Sequence, residues 1–91
     1  HLPFAAELRD GEVRLVGPER FTLRPGCRYL VNVGSVGQPR DGDPRACCAL
    51  YDTGSHTFRF HRVEYDIALV RTRMKQVGLP PPLAERLARG R

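Results

Sequence analysis

Apolar and polar positions alternate with a period of two through most of the first sixty-odd residues, and with a helical period only near the end. Phe4 to Leu8 reads as a short strand, Asp10-Gly11 as a hairpin turn, and Glu12 to Val16 as the returning strand. Gly17-Pro18 breaks that strand. Phe21 to Leu23 is a short extended piece closed by Pro25-Gly26. Arg28 to Val33 carries apolar residues on both faces, Tyr29, Val31 and Val33 on one and Leu30 on the other. That pattern predicts a strand covered on both sides. Ala46 to Asp52 is a further strand, Thr53-Gly54-Ser55 a turn, and His56 to Tyr65 a long return strand. Phe58 and Phe60 fit one face of it, Val63 and Tyr65 the other, so a β-bulge is expected near His61-Arg62.

From residue 66 the period changes. Asp66 is placed to cap a helix, and Ile67, Val70, Met74 and Val77 form a stripe expected to face the core. Gly78 sits where a left-handed cap belongs, and Pro80-Pro81-Pro82 forbids continuation. Leu83 and Leu87 predict a short last helix. The fold class is α+β: mainly antiparallel strands over about 4–65, then one or two helices over about 66–90. No βαβ alternation is present. The strands are too few for a closed barrel and suit an edge portion of a larger sheet.

Composition adds limits. At 91 residues, 41% of them hydrophobic, one small domain is the ceiling. No apolar run reaches the roughly 18 residues that a membrane helix needs, and no charged-then-apolar start resembles a signal peptide. A cytoplasmic setting with no membrane partner is the expectation. Cys27, Cys47 and Cys48 are odd in number and lack CxxC spacing, so they read as small apolar residues in a reducing compartment. Cys47 and Cys48, being adjacent, should face opposite sides of a strand. The net charge is +5 and the basic residues, all Arg except Lys75, are not clustered. That is compatible with phosphate-bearing ligands and does not demand nucleic acid. His56 and His61 have no metal-ligand spacing and read as surface residues, and the Phe and Tyr side chains as core.

Most of the candidate chemistry lies in LVNVGSVGQPRDGDPRA, residues 30–46, where a strand opens into a loop of about a dozen residues although two to five would connect two strands. Gly34 and Gly37 allow backbone N–H groups to approach a ligand, and Ser35 adds a hydroxyl. The pattern lacks GK[ST] and is no P-loop. Asp41-Gly42-Asp43-Pro44 is turn chemistry, and the rest of a calcium loop is missing. Arg40 and Arg45 flank those acids, either to pair with them or, for Arg40, to reach a phosphate.

The run NVGSVGQPRDGDPRA resembles the NPGSVGQPRDGDPRA loop of bacterial calcineurin-like metallophosphoesterases, departing from it at Val33. The apolar strand, hairpin, VEYD and Pro-Leu-Ala-Glu-Arg-Leu tail that follow are similar as well, and the likeness is weakest over residues 10–28. It implies that His1-Leu2-Pro3-Phe4 is the last residue of a Gly-His-Thr-His metal motif running into its strand. The chain would then be the carboxyl-terminal part of a single metallophosphoesterase domain, an α/β sandwich in the parent protein. The other ligands would lie upstream, and the 91 residues alone would be inactive and poorly folded.

The resemblance further implies two divalent transition-metal ions (Mn, Fe, Ni or Zn), with His1 as one ligand. Their chemistry would be hydrolysis of a phosphomonoester or phosphodiester by metal-activated water. It places Asn32, Gly34 and Ser35 where they support the site or contact substrate. Arg40 and Asp41 lie further out, where they tune substrate choice or meet another subunit of a homo-oligomer. The partners are thus a phosphate ester and the remainder of the same fold. The alternative is a small basic nucleic-acid-binding or structural module without catalysis. No RNP-like aromatic motif supports it.

Overall fold

The computed structural model describes residues 1–17 and 19–91. Six strands come first: β1 (Phe4–Arg9), β2 (Glu12–Val16), β3 (Arg20–Thr22), β4 (Arg28–Asn32), β5 (Ala46–Asp52) and β6 (Thr57–Val63). Two helices follow, α1 (Ile67–Gln76) and α2 (Pro81–Arg89). This is the α+β order the residue pattern predicts. The break expected at Gly17-Pro18 falls partly on residue 18, outside the described residues. β2 ends at Val16.

The strands form two antiparallel three-stranded sheets, ordered β2-β1-β4 and β3-β6-β5. Asp10 and Gly11 both have positive φ, 51° and 79°. This is the type I′ geometry whose twist suits a two-residue hairpin, and it joins β1 to β2. The sheets meet where Phe21 of β3, which also stacks on its own sheet's Phe58 at 5.4 Å, stacks on Tyr29 of β4, ring centroids 5.7 Å apart. They meet again where the Cys47 N–H donates to the Ser35 carbonyl at 2.8 Å. α1 begins and ends as its sequence predicts. The Asp66 carboxylate accepts from the Leu69 N–H at 3.0 Å. Gly78, at φ 78°, donates to the Lys75 carbonyl and Leu79 to that of Met74, the paired bonds of a Schellman end.

Three expectations fail. β4 is an edge strand with β1 as its one neighbour, and Leu30 is 59% exposed, so β4 is not covered on both faces. The β5–β6 register runs without interruption from Ala46↔Val63 to Asp52↔Thr57, so there is no bulge at His61-Arg62. Val63 keeps the strand's alternation and is simply exposed, while Tyr65 lies beyond the strand end. The stripe on α1 does not face a core either: no residue of α1 is buried and Val77 is 74% exposed. α1 packs against α2 alone among the described elements, and one helix covers only part of its surface.

One physical condition underlies all three failures. The buried apolar set is Ala5, Ala6, Phe21, Cys47, Ala84 and Leu87, mostly small residues. Phe4, Leu8, Val13, Leu15 and Leu30, which the pairing register puts on one face of the first sheet, are all exposed. The radius of gyration is 16.3 Å, against about 12 Å for a compact domain of this length. These 91 residues present surfaces built to be covered and hold little that covers them.

Candidate functional site

The β1–β4 pairing brings the amino-terminal segment and the glycine loop together. Phe4 pairs with Asn32, and beyond that pair Pro3 lies against Gly34. A Cβ built on Gly34 would stand 3.5 Å from the Pro3 Cβ, 2.9 Å from the Cys47 Cβ and 3.0 Å from its Sγ. His1, exposed, is two residues from Pro3, a chain distance of at most about 7 Å. His1, Asn32, Gly34 and Ser35 therefore share one end of the first sheet.

The loop's polar side chains hold its shape. The Asn32 Oδ1 accepts from the Gly34 N–H at 3.0 Å, and the Ser35 Oγ accepts from the Gln38 N–H at 2.8 Å. Each is the local side-chain-to-backbone bond that lets Asn and Ser replace a regular ladder. Gly34 has φ 84°, where an L side chain is strained. Cys47 is the buried wall behind it, and burial pushes its thiol pKa up, as befits a packing residue. Cys48 faces the other way and is exposed, as adjacency on a strand requires.

The second half of the loop is clamped at several points. Pro39 is fully buried. Asp41 is ion-paired with Arg62, which also approaches Asp43 at 3.8 Å. Gly42 donates to the Gly90 carbonyl at 3.0 Å, and a Cβ on Gly90 would meet the Asp43 backbone at 2.7–2.8 Å. Arg45 binds Asp43 at 2.7 Å. Arg45 thus pairs with an acid it flanks. Arg40 is exposed and has no ion-pair partner among the described residues.

The Arg45 side chain, followed by its backbone N–H, holds the Asp43 carboxyl down to about 2, against an ordinary 3.8. A depressed folded-state pKa stabilises the loop fully above pH 3.8, and the contribution is lost as the pH falls through about 2. A carboxyl-carbon NMR titration should place the Asp43 midpoint near 2, and Arg45→Ala should return it toward the usual carboxylate range.

The residue pattern did not single out Arg62, Gly90 or Glu7. Arg62 faces the loop only because Cys47 pairs with it across β5–β6, a register invisible before pairing. Glu7 is 5% exposed. Its carboxylate accepts from the Tyr29 hydroxyl at 2.5 Å and from Arg14 at 3.1 Å, with Arg24 at 3.8 Å. The Tyr29 bond, ahead of the two guanidinium charges, outweighs burial and keeps Glu7 ionised below its ordinary range. The signal available in the sequence was its place among apolar strand residues, Ala5, Ala6 and Leu8.

Among the described residues no group of three or more His, Cys, Asp and Glu side chains is placed to hold a metal ion. His1 is a single donor, so these residues do not make a metal centre by themselves. No helix is long and apolar enough to cross a membrane.

No family model matches the chain. It is 37% identical, over all 91 residues, to the uncharacterized protein MJ0912 of Methanocaldococcus jannaschii, and spans 37% of that protein's length. It superposes with a TM-score of 0.80 and 38% identity on the crystal structure of a metallophosphoesterase from Sphaerobacter thermophilus, covering 97% of this chain and 39% of that one. Over the length it covers, the chain shares the fold of that metallophosphoesterase, and the likeness supports the calcineurin-like metallophosphoesterase superfamily.

Proposed function

We propose that the full-length protein is a phosphoesterase and that this chain is the carboxyl-terminal part of its single domain. The observation that carries the reading is the close approach of the His1-Leu2-Pro3 segment to the Asn32–Ser35 loop through Pro3 and Gly34. The likeness to a metallophosphoesterase structure supports it. In this reading His1 contributes one ligand to a pair of divalent transition-metal ions, and the remaining ligands come from outside these 91 residues. Such ions supply Lewis acidity and a nucleophile at neutral pH.

The chain's own residues do the positioning. Asn32 fixes the turn at Gly34, Gly34 lets the loop lie flat against Cys47, and Ser35 sets the following turn. The backbone beside His1 is thereby preorganised, so little reordering is left for the moment of reaction. Arg40, flanked by the buried Pro39 and the anchored Asp41, offers a guanidinium to a phosphate group. The substrate is a phosphomonoester or a phosphodiester.

The full-length protein should hydrolyse p-nitrophenyl phosphate or bis(p-nitrophenyl) phosphate. Activity should fall to background after chelation and return with Mn²⁺, Ni²⁺ or Zn²⁺. Hydrolysis that survives complete metal removal, or none of either ester with any of these ions, would end the proposal. The ratio of the two rates assigns the ester class.

A further inference from the structure

We propose, on the reading that Arg40 takes a phosphate group of the ester, that Arg62 is a positioning residue for substrate binding which acts through Asp41 on Arg40. Every bond that gives Arg62 this role is made inside the chain. Covering of its outer surfaces by the rest of the protein leaves those bonds in place.

β6 sets Arg62 opposite Cys47, and residues so paired stand on one face of a sheet. That pair grips the loop at two points. Cys47 is the wall behind Gly34, and its N–H donates to the Ser35 carbonyl. Arg62 reaches the other limb and turns all three guanidinium nitrogens to it. Nη2 binds the Asp41 carboxylate, Nε lies 3.8 Å from the Asp43 Oδ2, and Nη1 lies 3.5 Å from the Arg45 carbonyl oxygen. The side chains of Arg62 and Asp41 are 19% and 24% exposed, so solvent screens their attraction less than that of a surface pair. A planar fork fixes direction as well as distance, which the point charge of a lysine would not.

Arg40 is thus held on both sides, by the fully buried Pro39 and by the Asp41–Arg62 pair. The rest of the loop has other anchors. The Gly42 bond to the Gly90 carbonyl and the Asp43–Arg45 pair do not involve Arg62. Neither do the bonds of Asn32 and Ser35 beside His1. Loss of Arg62 therefore frees Asp41 and the Arg40 backbone next to it without dismantling the loop. The cost falls on the grip of a phosphate group, and the metal ions and the nucleophile keep their places.

The test is steady-state kinetics of the full-length, metal-loaded protein on p-nitrophenyl phosphate and bis(p-nitrophenyl) phosphate, with inorganic phosphate as inhibitor. Arg62→Met should raise both KM and the phosphate inhibition constant by about tenfold, with kcat within about threefold and bound metal unchanged. Asp41→Asn breaks the same ion pair from its other end and should do the same. Arg45→Ala removes a charge from the same cluster but leaves Arg62 on Asp41, and should move KM by less than about twofold. Arg40→Met should raise KM at least as far as Arg62→Met, and combining the two should add nothing further. A KM unmoved by both Arg62→Met and Asp41→Asn overturns the proposal and leaves the phosphoesterase reading standing. An Arg45→Ala effect equal to that of Arg62→Met overturns it as well, since general loosening of the loop would then be the cause. So do effects of Arg40→Met and Arg62→Met that multiply in the double variant, and so does loss of metal and kcat in Arg62→Met. A parent protein that hydrolyses neither ester overturns the reading and the proposal together.

Discussion

Replacing His1 by Ala in the full-length protein should lower phosphoesterase turnover by roughly 100-fold or more and should reduce the metal that copurifies with it. The size follows from what an imidazole does in a metal site. Groups that merely orient a ligand are worth about 10–100-fold in affinity or activity, so loss of a ligand itself should lie at the top of that range or beyond. The strand after His1 explains why its loss should not unfold the protein. His1 is exposed, β1 begins at Phe4, and the ladder from Phe4↔Asn32 to Leu8↔Arg28 involves no atom of His1. The variant should therefore melt like the parent and fail as a catalyst. Elemental analysis separates the possible outcomes. Reduced metal with slow turnover supports ligation. Full metal with full turnover would remove His1 from the site while leaving the phosphoesterase assignment to the chelation experiment.

Legibility from sequence divides along a physical line. Local chemistry was readable. Asp10-Gly11 forms the hairpin turn, Asp66 caps α1, Gly78 ends it with positive φ, and Pro80 precedes α2, whose first turn opens on Pro81-Pro82. In each case the signal and the structure it determines lie within four or five residues. Partnership between distant segments was not readable. A bulge near His61-Arg62 is expected only on the assumption that an apolar residue in a strand is buried, which would bring Val63 and Tyr65 to the face of Phe58 and Phe60. The actual register leaves Val63 half exposed and turns Arg62 toward Asp41 and Asp43. The α1 stripe failed through the same assumption. Periodicity reports that a face is meant to be covered, and not what covers it. In a chain spanning under two-fifths of the length of the relatives it matches, that distinction decides the outcome for β4, for α1 and for the outer face of the first sheet.

The candidate site shows the same division in miniature. Asn32, Gly34 and Ser35 were legible because their bonds are local, to Gly34 and Gln38. Cys47, Arg62 and Gly90 hold the same loop from 12 to 48 residues away, and only the folded chain brings them there. Arg40 stands between the two groups. It is exposed and unpaired among the described residues, while Arg62 and Arg45 pair with Asp41 and Asp43.

The second large effect should come from Gly34→Ala. Two independent costs meet at this position. The backbone sits at φ 84°, where an L residue costs roughly 1–2 kcal/mol relative to glycine. The added methyl would also lie 2.9 Å from the Cys47 Cβ and 3.0 Å from its Sγ. Cys47 is buried and cannot retreat into solvent, and overpacking of this kind typically costs about 1–3 kcal/mol. The sum is about 2–5 kcal/mol, a large share of the stability of an ordinary domain. The denaturant midpoint of the full-length protein should fall accordingly. Gly37→Ala is the matched control, since a Cβ there has nothing within 4 Å and its φ is not in the left-handed range. It should leave the midpoint nearly unchanged. Gly34→Ala combined with Cys47→Ala removes the sulfur contact but leaves the Cβ contact and the φ cost, so it should recover only part of the loss. Equal midpoints for the two single glycine variants would mean that the loop is not pressed against β5 as described. That outcome would also undercut the positioning role given to Asn32 and Ser35, because a loop free to shift by the width of a methyl group could not hold the backbone beside His1 in one place.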